Sequence, residues 1–203
     1  MIHPYSYYLG RAAQRYPDRV AVIDGDIRLT YRALNARIDS LALALRALGV
    51  GRGDRVAVLQ ANNHQFMEAL VGIARVGAAF VPMLGILTEA DHAYMLEDTD
   101  AEVLIVPAAA LKARGAALKA SVAKLRHLIV VDGGDDAHDY EALLQAHAGM
   151  APLVRGDEQD LAQILYTSGP TGKPKGVAHT YASTQASMIN WVSMANRQPG
   201  DVG

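Results

Sequence analysis

One stretch of the chain concentrates the residue types that bind polyphosphates. Residues 166–176, here called the glycine-rich segment, combine three glycines and two lysines with several hydroxyl side chains. Glycines expose backbone N–H groups, hydroxyls add donors and lysines supply cations, so all three can converge on one anion. An ordinary turn does not require lysines and hydroxyls between its glycines, which favours a phosphate site. The run is Tyr166, Thr167, Ser168, Gly169, Pro170, Thr171, Gly172, Lys173, Pro174, Lys175, Gly176.

Two common phosphate-binding patterns do not fit this segment. A Walker loop requires G-x-x-x-x-G-K followed by Ser or Thr, whereas Gly172 and Lys173 are followed by Pro174. The first glycine of that pattern is also missing, because Thr167 stands in its place. The dinucleotide pattern G-x-G-x-x-G fails on the spacing of its glycines. The segment therefore predicts a polyphosphate site of another kind.

The segment resembles the phosphate loop of the adenylate-forming enzymes, a superfamily of acyl-CoA synthetases, adenylation domains of peptide synthetases and luciferases. Its pattern is Tyr/Phe-Thr-Ser-Gly-(Ser/Thr)-Thr-Gly-x-Pro-Lys-Gly, and only Pro170 departs from a fixed position. Residues 29–31, 48–56 and 77–82 are similar to successive landmarks of the N-terminal part of that superfamily. We interpret these landmarks as scaffold, and the resemblance covers nearly the whole chain.

The resemblance implies an enzyme that joins ATP to a carboxylic acid. The products are an acyl-adenylate and pyrophosphate, and the acyl group then passes to a thiol, usually that of coenzyme A. Mg²⁺ shares the charge of the ATP phosphates, and the protein's task is positioning and charge stabilisation. Two alternatives stay open: an amino-acid adenylation domain that serves a carrier protein, and a non-catalytic unit with residual phosphate binding.

The resemblance also implies which residues bind the phosphates. Lys175 is the main cation, whereas Lys173 stands at the variable position, where a solvated charge and a phosphate contact remain alternatives. Pro170 removes one hydroxyl and one N–H, so we expect a stiffer segment with weaker phosphate contact. No catalytic residue or metal ligand is assigned. The implied phosphate-binding residues are Thr167, Ser168, Gly169, Pro170, Thr171, Gly172, Lys173, Lys175 and Gly176.

The histidines show no metal-ligand spacing. We interpret His64, His92, His138 and His147 as surface or capping residues. His179 follows the glycine-rich segment closely, and a structural role is preferred over a contact with the nucleotide.

The composition excludes several classes of protein. The chain has 203 residues, of which 51% are hydrophobic, enough for a sizeable core. A net charge of −2 argues against a nucleic-acid surface. The absence of cysteine excludes disulfides, thiolate nucleophiles and zinc–cysteine sites. Without a signal-peptide pattern or an apolar run of membrane-spanning length, we expect a soluble, cytoplasmic protein whose oligomeric state stays open.

Strand and helix patterns alternate along the chain. A hairpin is predicted where residues 20–23 and 27–29 flank an Asp-Gly turn. Apolar runs typical of buried strands lie at residues 56–59, 79–82, 103–106, 128–131 and 161–165. Helical patterns cover residues 9–15, 30–48, 62–77, 88–98 and 140–146, with a further helix between the strands at 103–106 and 128–131. The alternation predicts an α/β fold with a mostly parallel, doubly wound sheet flanked by helices.

Capping residues predict where three of these helices begin. Thr30 is placed to cap the first of them, and Thr88 with Asp91 has the spacing of a capping box. Asn62 with Gln65 predicts a similar box at the start of the helix between them.

The extent of the domain is predicted from the resemblance alone. The superfamily's adenine- and ribose-binding segments, acyl pocket, Mg²⁺-binding acid and C-terminal catalytic lysine are expected beyond residue 203. Residues 1–203 are therefore interpreted as the N-terminal portion of the large AMP-binding domain, without the small C-terminal domain. We expect this portion by itself to lack turnover.

Overall fold

Helices and strands alternate along most of the chain. The computed structural model describes residues 4–59, 61–134, 136–167 and 173–195. The α-helices in these ranges are α1 Pro4–Arg15, α2 Tyr31–Ala47, α3 His64–Arg75, α4 Glu89–Thr99, α5 Lys112–Ser121, α6 Tyr140–Ala146 and α7 Tyr181–Ala195. The strands are β1 Val20–Asp24, β2 Ile27–Thr30, β3 Arg55–Leu59, β4 Ala79–Met83, β5 Val103–Val106, β6 His127–Val130, β7 His138–Asp139, β8 Leu161–Thr167 and β9 Lys175–Thr180.

A large sheet in the order β7-β6-β5-β3-β4-β8-β9 organises the structure, and β1 and β2 form a separate hairpin. Its neighbouring strands run parallel except for β8 and β9, which are antiparallel. The chain passes from β3 to β4 on one side and then returns to β5 on the other, so the sheet is doubly wound. The predicted α/β class and mostly parallel sheet are confirmed. The sequence patterns did not predict β7, β9 or α7.

The central strands bury side chains on both faces of the sheet. In β3, Val56 and Val58 join the core formed with α2, α3 and α6. Ala57 and Leu59 join the opposite core, which is formed with α4 and α5. Strands covered on both faces need apolar residues at every position, which is why the predicted runs were continuous.

The caps of α2 and α4 agree with the sequence, whereas that of α3 does not. The Thr30 hydroxyl accepts from the N–H of Ala33, and Thr88 and Asp91 form the predicted capping box. The cap of α3 is Asn63, whose side chain accepts from the N–H of Phe66 at 3.1 Å. The predicted box with Asn62 is therefore wrong by one residue, because adjacent asparagines offer the same capping chemistry.

Two further boundaries differ from the sequence-based expectation. Helix α1 begins at Pro4, five residues before the predicted start at Leu9. Strand β8 extends to Thr167 and is mostly half-buried, although residues 161–165 were predicted as a buried strand. Its neighbour β9 has an exposed edge, so this end of the sheet is less covered than the centre.

Polar contacts guide the irregular segment that leads from α6 to β8. Residues 149–160 form neither helix nor strand. The Ala151 N–H donates to Asp39, which also accepts from the buried Arg75 at 2.7 Å. Arg52 then binds Asp160 with two hydrogen bonds of 2.6 and 2.9 Å. These contacts direct the chain across the sheet, so that β8 pairs with β4.

Helix α7 leaves apolar side chains exposed beside the edge of the sheet. Ile189, Trp191 and Met194 are exposed. None of the helices in the described ranges has the length and apolar character of a membrane span.

A charge network joins α2, α3 and α6. The fully buried Glu68 accepts from Arg37 Nε at 2.6 Å and from the Tyr140 hydroxyl at 2.9 Å. Arg37 also binds Glu141 with hydrogen bonds of 2.8 and 2.6 Å. Burial, together with the charge of Glu68, raises the pKa of Tyr140, which therefore remains a donor. A buried carboxylate is tolerated here because its lone pairs are satisfied.

Replacing Glu68 tests the contribution of this network to stability. We expect Glu68→Ala to lower the free energy of unfolding by about 3 kcal/mol, because Arg37 and Tyr140 lose a buried partner. Glu141→Ala is the matched control, since the Glu141 side chain is 43% exposed, and should cost at most about 1 kcal/mol. Urea unfolding followed by circular dichroism measures both. Equal losses in the two variants would contradict the assignment.

Candidate phosphate-binding site

The β8–β9 hairpin brings the two ends of the glycine-rich segment together. Thr167 pairs with Lys175, and Tyr166 pairs with Gly176. Cross-strand partners share a face, so Thr167 and Lys175 extend from one side of the hairpin. The predicted residues Ser168, Gly169, Pro170, Thr171 and Gly172 lie outside the described part of the chain.

The hairpin ends at the carboxyl edge of the sheet. Strand β8 runs parallel to β4, with Gln163 opposite Phe80. Thr167 therefore lies at the edge where β3, β4 and β5 also end. Ligands of open α/β sheets bind outside the carboxyl ends of the strands, so this position agrees with a phosphate site.

The strand order also defines a topological switch point, between β3 and β5, where such sheets commonly bind ligands. In this protein the segments that follow these strands are joined, because Asn63 Nδ2 donates to the Pro107 carbonyl at 2.5 Å. Next to this contact, Asp24 accepts from the backbone N–H and the ring Nδ1 of His64. The predicted site residues lie instead after β8, on the other side of β4.

The two lysines of the segment have different surroundings. Lys175 is exposed and its side chain makes no ion pair within the described ranges, so its charge is available to an anion. The Lys173 ammonium lies 5.0 Å from the centroid of the Tyr94 ring. Such a cation–π contact contributes about 0.5–1 kcal/mol at an exposed site. Lys173 is thus in contact with α4, and a phosphate contact by this residue stays a prediction.

Tyr166 connects the start of the segment to the same helix. Its hydroxyl donates to Asp98 Oδ2 at 2.5 Å, which is a charge-assisted hydrogen bond. Burial, then the hydrogen bond and the negative charge of Asp98, raise the pKa of Tyr166, so the phenol remains a donor at neutral pH. The sequence patterns did not indicate that Tyr94 and Asp98 contact this segment. Their spacing places them on one face of a helix, but nothing in it showed which strand that face would meet.

Gly176 makes room for the Tyr166 ring. A Cβ atom at residue 176 would lie 3.1 Å from Tyr166 Cζ and 3.0 Å from Ile164 Cγ2. The structure therefore gives Gly176 a packing function. The contact of Gly176 with phosphate is independent of this packing function and stays a prediction.

A buried histidine fixes the turn between β4 and α4. The His92 ring donates from Nε2 to the Leu84 carbonyl at 2.9 Å, while Nδ1 accepts from Arg114 at 3.2 Å. The interpretation of His92 and His64 as surface or capping residues is wrong, since both are buried. Burial and the nearby charge of Arg114 lower the pKa of His92, although the hydrogen bond to Leu84 opposes this effect.

The comparisons with known proteins identify the family. A sequence profile described as "AMP-binding enzyme" matches residues 9–202. The chain belongs to this family of adenylate-forming enzymes, and it corresponds to their N-terminal portion.

The relatives include enzymes of two kinds. Feruloyl-CoA synthase from Amycolatopsis is 37% identical over 183 residues, which are 89% of this chain and 34% of that protein. Bacitracin synthase 3 from Bacillus licheniformis is 34% identical over 165 residues, which are 81% of this chain and 2% of that protein. The chain spans about a third, or less, of the length of the curated relatives it matches.

A solved structure has the same fold. The inhibitor-bound N-terminal domain of FACL13 from Mycobacterium tuberculosis superposes with a TM-score of 0.84 at 31% identity. The match covers 93% of this chain and 47% of that one.

Substituting Gly176 tests its packing function. We expect Gly176→Ala to lower the free energy of unfolding by about 1–2 kcal/mol, because the added methyl group displaces Tyr166 or Ile164. Gly10→Ala is the control: a Cβ at residue 10 meets nothing within 4 Å, and alanine favours the helix by about 0.5–1 kcal/mol. Thermal unfolding of both variants gives the comparison. A neutral Gly176→Ala would contradict the close packing.

The buried His92 predicts a pH-dependent stability. The folded protein holds the neutral imidazole, whereas the unfolded chain takes up a proton below about pH 6.5. The stability that the neutral His92 contributes is therefore complete above that pH. It is lost as the pH falls from about 6.5 toward the lowered pKa of His92 in the folded protein. Unfolding free energies measured between pH 7.5 and 5 should fall more steeply for the unmodified chain than for His92→Gln. Superimposable pH profiles would argue against a neutral, buried His92.

Proposed function

We propose that this chain carries the phosphate-binding part of an acyl-CoA synthetase. The enzyme would activate a carboxylic acid with ATP, release pyrophosphate and then form a thioester with coenzyme A. The main support is the exposed Lys175 beside Thr167, at the base of a segment with the superfamily's phosphate pattern. The relationship to feruloyl-CoA synthase favours coenzyme A as the acceptor.

The proposed chemistry needs charge stabilisation more than a nucleophile from the protein. A carboxylate oxygen of the substrate forms a bond to the α-phosphorus of ATP while the bond to the pyrophosphate oxygen breaks. Negative charge develops on the leaving pyrophosphate. The ammonium group of Lys175 and the hydroxyl of Thr167 would stabilise that charge, and the other proposed donors are Ser168, Thr171 and the backbone at the glycines.

Mg²⁺ is part of the proposed reaction, and such an ion is usually held by one or two carboxylates together with the phosphates of the nucleotide. Within the described ranges no three His, Cys, Asp or Glu side chains are grouped so that they could hold a metal ion. Asp98, the acidic residue that contacts the hairpin, is already bonded to Tyr166. We propose that Mg²⁺ is held by the phosphates of ATP and by a carboxylate of the full-length protein.

We propose that residues 1–203 form the N-terminal portion of a large AMP-binding domain. It is supported by the match to about a third of the feruloyl-CoA synthase length and to under half of the FACL13 N-terminal domain. We propose that the carboxylic acid, the adenine of ATP and coenzyme A bind to other parts of the full-length protein. We also propose that the protein is cytoplasmic. The chain by itself would bind phosphate but not complete adenylation.

An amino-acid adenylation domain is the second candidate. It is favoured by the 34% identity to bacitracin synthase 3. Panels of amino acids and of other carboxylic acids, assayed by ATP–pyrophosphate exchange in the full-length protein, separate the two candidates. Thioester formation with free coenzyme A would support the first, and transfer only to a carrier protein would support the second.

Replacing Lys175 tests the phosphate site. In the full-length protein we expect Lys175→Ala to slow ATP–pyrophosphate exchange by about tenfold to a thousandfold, because a charge stabiliser is lost. Lys119→Ala, which removes a lysine on α5, should leave exchange unchanged.

The outcomes separate the parts of the proposal. Unchanged exchange in Lys175→Ala would remove this residue from the phosphate site. The 203-residue chain alone should show no exchange with any acid. Robust exchange by the chain alone would instead show that it holds a complete active site.

A further inference from the structure

Two residues on one face of α4 contact the glycine-rich segment at two places. Tyr94 and Asp98 are four positions apart, so their side chains are neighbours on the helix surface. Asp98 accepts from Tyr166, which precedes residues 168–172, and Tyr94 contacts Lys173, which follows them. A single helix face therefore contacts the chain on both sides of residues 168–172.

The contact through Tyr166 is well defined. Its hydroxyl donates to Asp98, and the ring packs against the core that α4 and α5 form with the sheet. Gly176, its cross-strand partner, leaves the space that the ring needs. The ring is thus confined by its strand neighbours, and its hydroxyl by a carboxylate.

The helix itself is firmly placed. Met95 and Leu96 are buried in the same core, between the two contact residues in sequence. The capping box of Thr88 and Asp91 closes its first turn, and His92 ties that turn to the end of β4. A binding element is held accurately when its supporting residues lie on a rigid element with locked rotamers.

We propose that Tyr94 and Asp98 are positioning residues for phosphate binding, acting through Lys173 and Tyr166. Fixing the side chains of Tyr166 and Lys173 before a polyphosphate binds reduces the ordering that these two residues undergo on binding. The inference rests on the proposed function, because it assigns these residues to the same phosphate site. In this proposal Tyr94 and Asp98 make no phosphate contact themselves. If the bond between Tyr166 and Asp98 only stabilised the fold, its removal would leave nucleotide affinity unchanged.

The first test is a double-mutant cycle on ATP affinity, measured by titration calorimetry with Mg²⁺ in the full-length protein. We expect Asp98→Ala and Tyr166→Phe each to weaken ATP binding by about threefold to thirtyfold. The double variant should be no weaker than the single ones, because both remove the same bond. Asp98→Asn, whose amide oxygen can still accept from the phenol, should recover most of the affinity.

A neighbouring residue gives the matched control. Glu97 lies on the same helix, is exposed, and makes no side-chain hydrogen bond or ion pair within the described ranges. Glu97→Ala should bind ATP as the unmodified protein does. For the other contact, Tyr94→Leu should weaken binding when Lys173 is present and have no further effect in a Lys173→Met background.

A spectroscopic readout monitors the bond without nucleotide. The phenol of Tyr166, identified by the absorbance difference from Tyr166→Phe, should ionise at a lower pH in Asp98→Ala, because the negative neighbour and the hydrogen bond are gone.

The results separate the failures of the two proposals. An unmodified protein that binds neither ATP nor pyrophosphate contradicts the proposed function and, with it, the phosphate site. Normal ATP binding that stays equal in Asp98→Ala, Tyr166→Phe and the double variant contradicts only the positioning role. Additive losses in the cycle would likewise overturn it, since the two residues would then act separately.

Discussion

The structure depends on the burial of parallel strands on both faces. Parallel neighbouring strands need a crossover connection between them. The crossover helices must cover the apolar side chains, which point alternately to the two faces of the sheet. In β3 this alternation sends Val56 to α2, α3 and α6 and Ala57 to α4 and α5. The same constraint aligns the carboxyl ends of β3, β4, β5 and β8 at one edge, where the proposed phosphate site lies.

Helix α4 links the core to this edge. Met95 and Leu96 anchor it in the core, whereas Tyr94 and Asp98 reach the β8–β9 hairpin. One helix can do both because residues four apart share a face, while the intervening residues point elsewhere. Helix α4, which is needed to cover the sheet, therefore also contacts the glycine-rich segment.

Buried charges fix how the helices and the long connection are arranged. Glu68 meets Arg37 at the junction of α2, α3 and α6, and Asp39 meets Arg75 between α2 and α3. Asp39 also accepts from Ala151, so this second pair directs the chain toward β8. Apolar contacts alone would allow several arrangements, whereas a buried charge requires its partner in place.

The sequence by itself determined the fold class, the main strands, the starts of α2, α4 and α6, and the family pattern of the glycine-rich segment. Apolar runs, caps and motif residues are local signals, and local signals can be recognised without a structure. The choice between Asn62 and Asn63, the burial of His92 and the antiparallel strand β9 required the structure, as did the contacts of Tyr166 with Asp98 and of Lys173 with Tyr94. Each of these depends on which distant segments meet, and that is decided by how helices pack on the finished sheet.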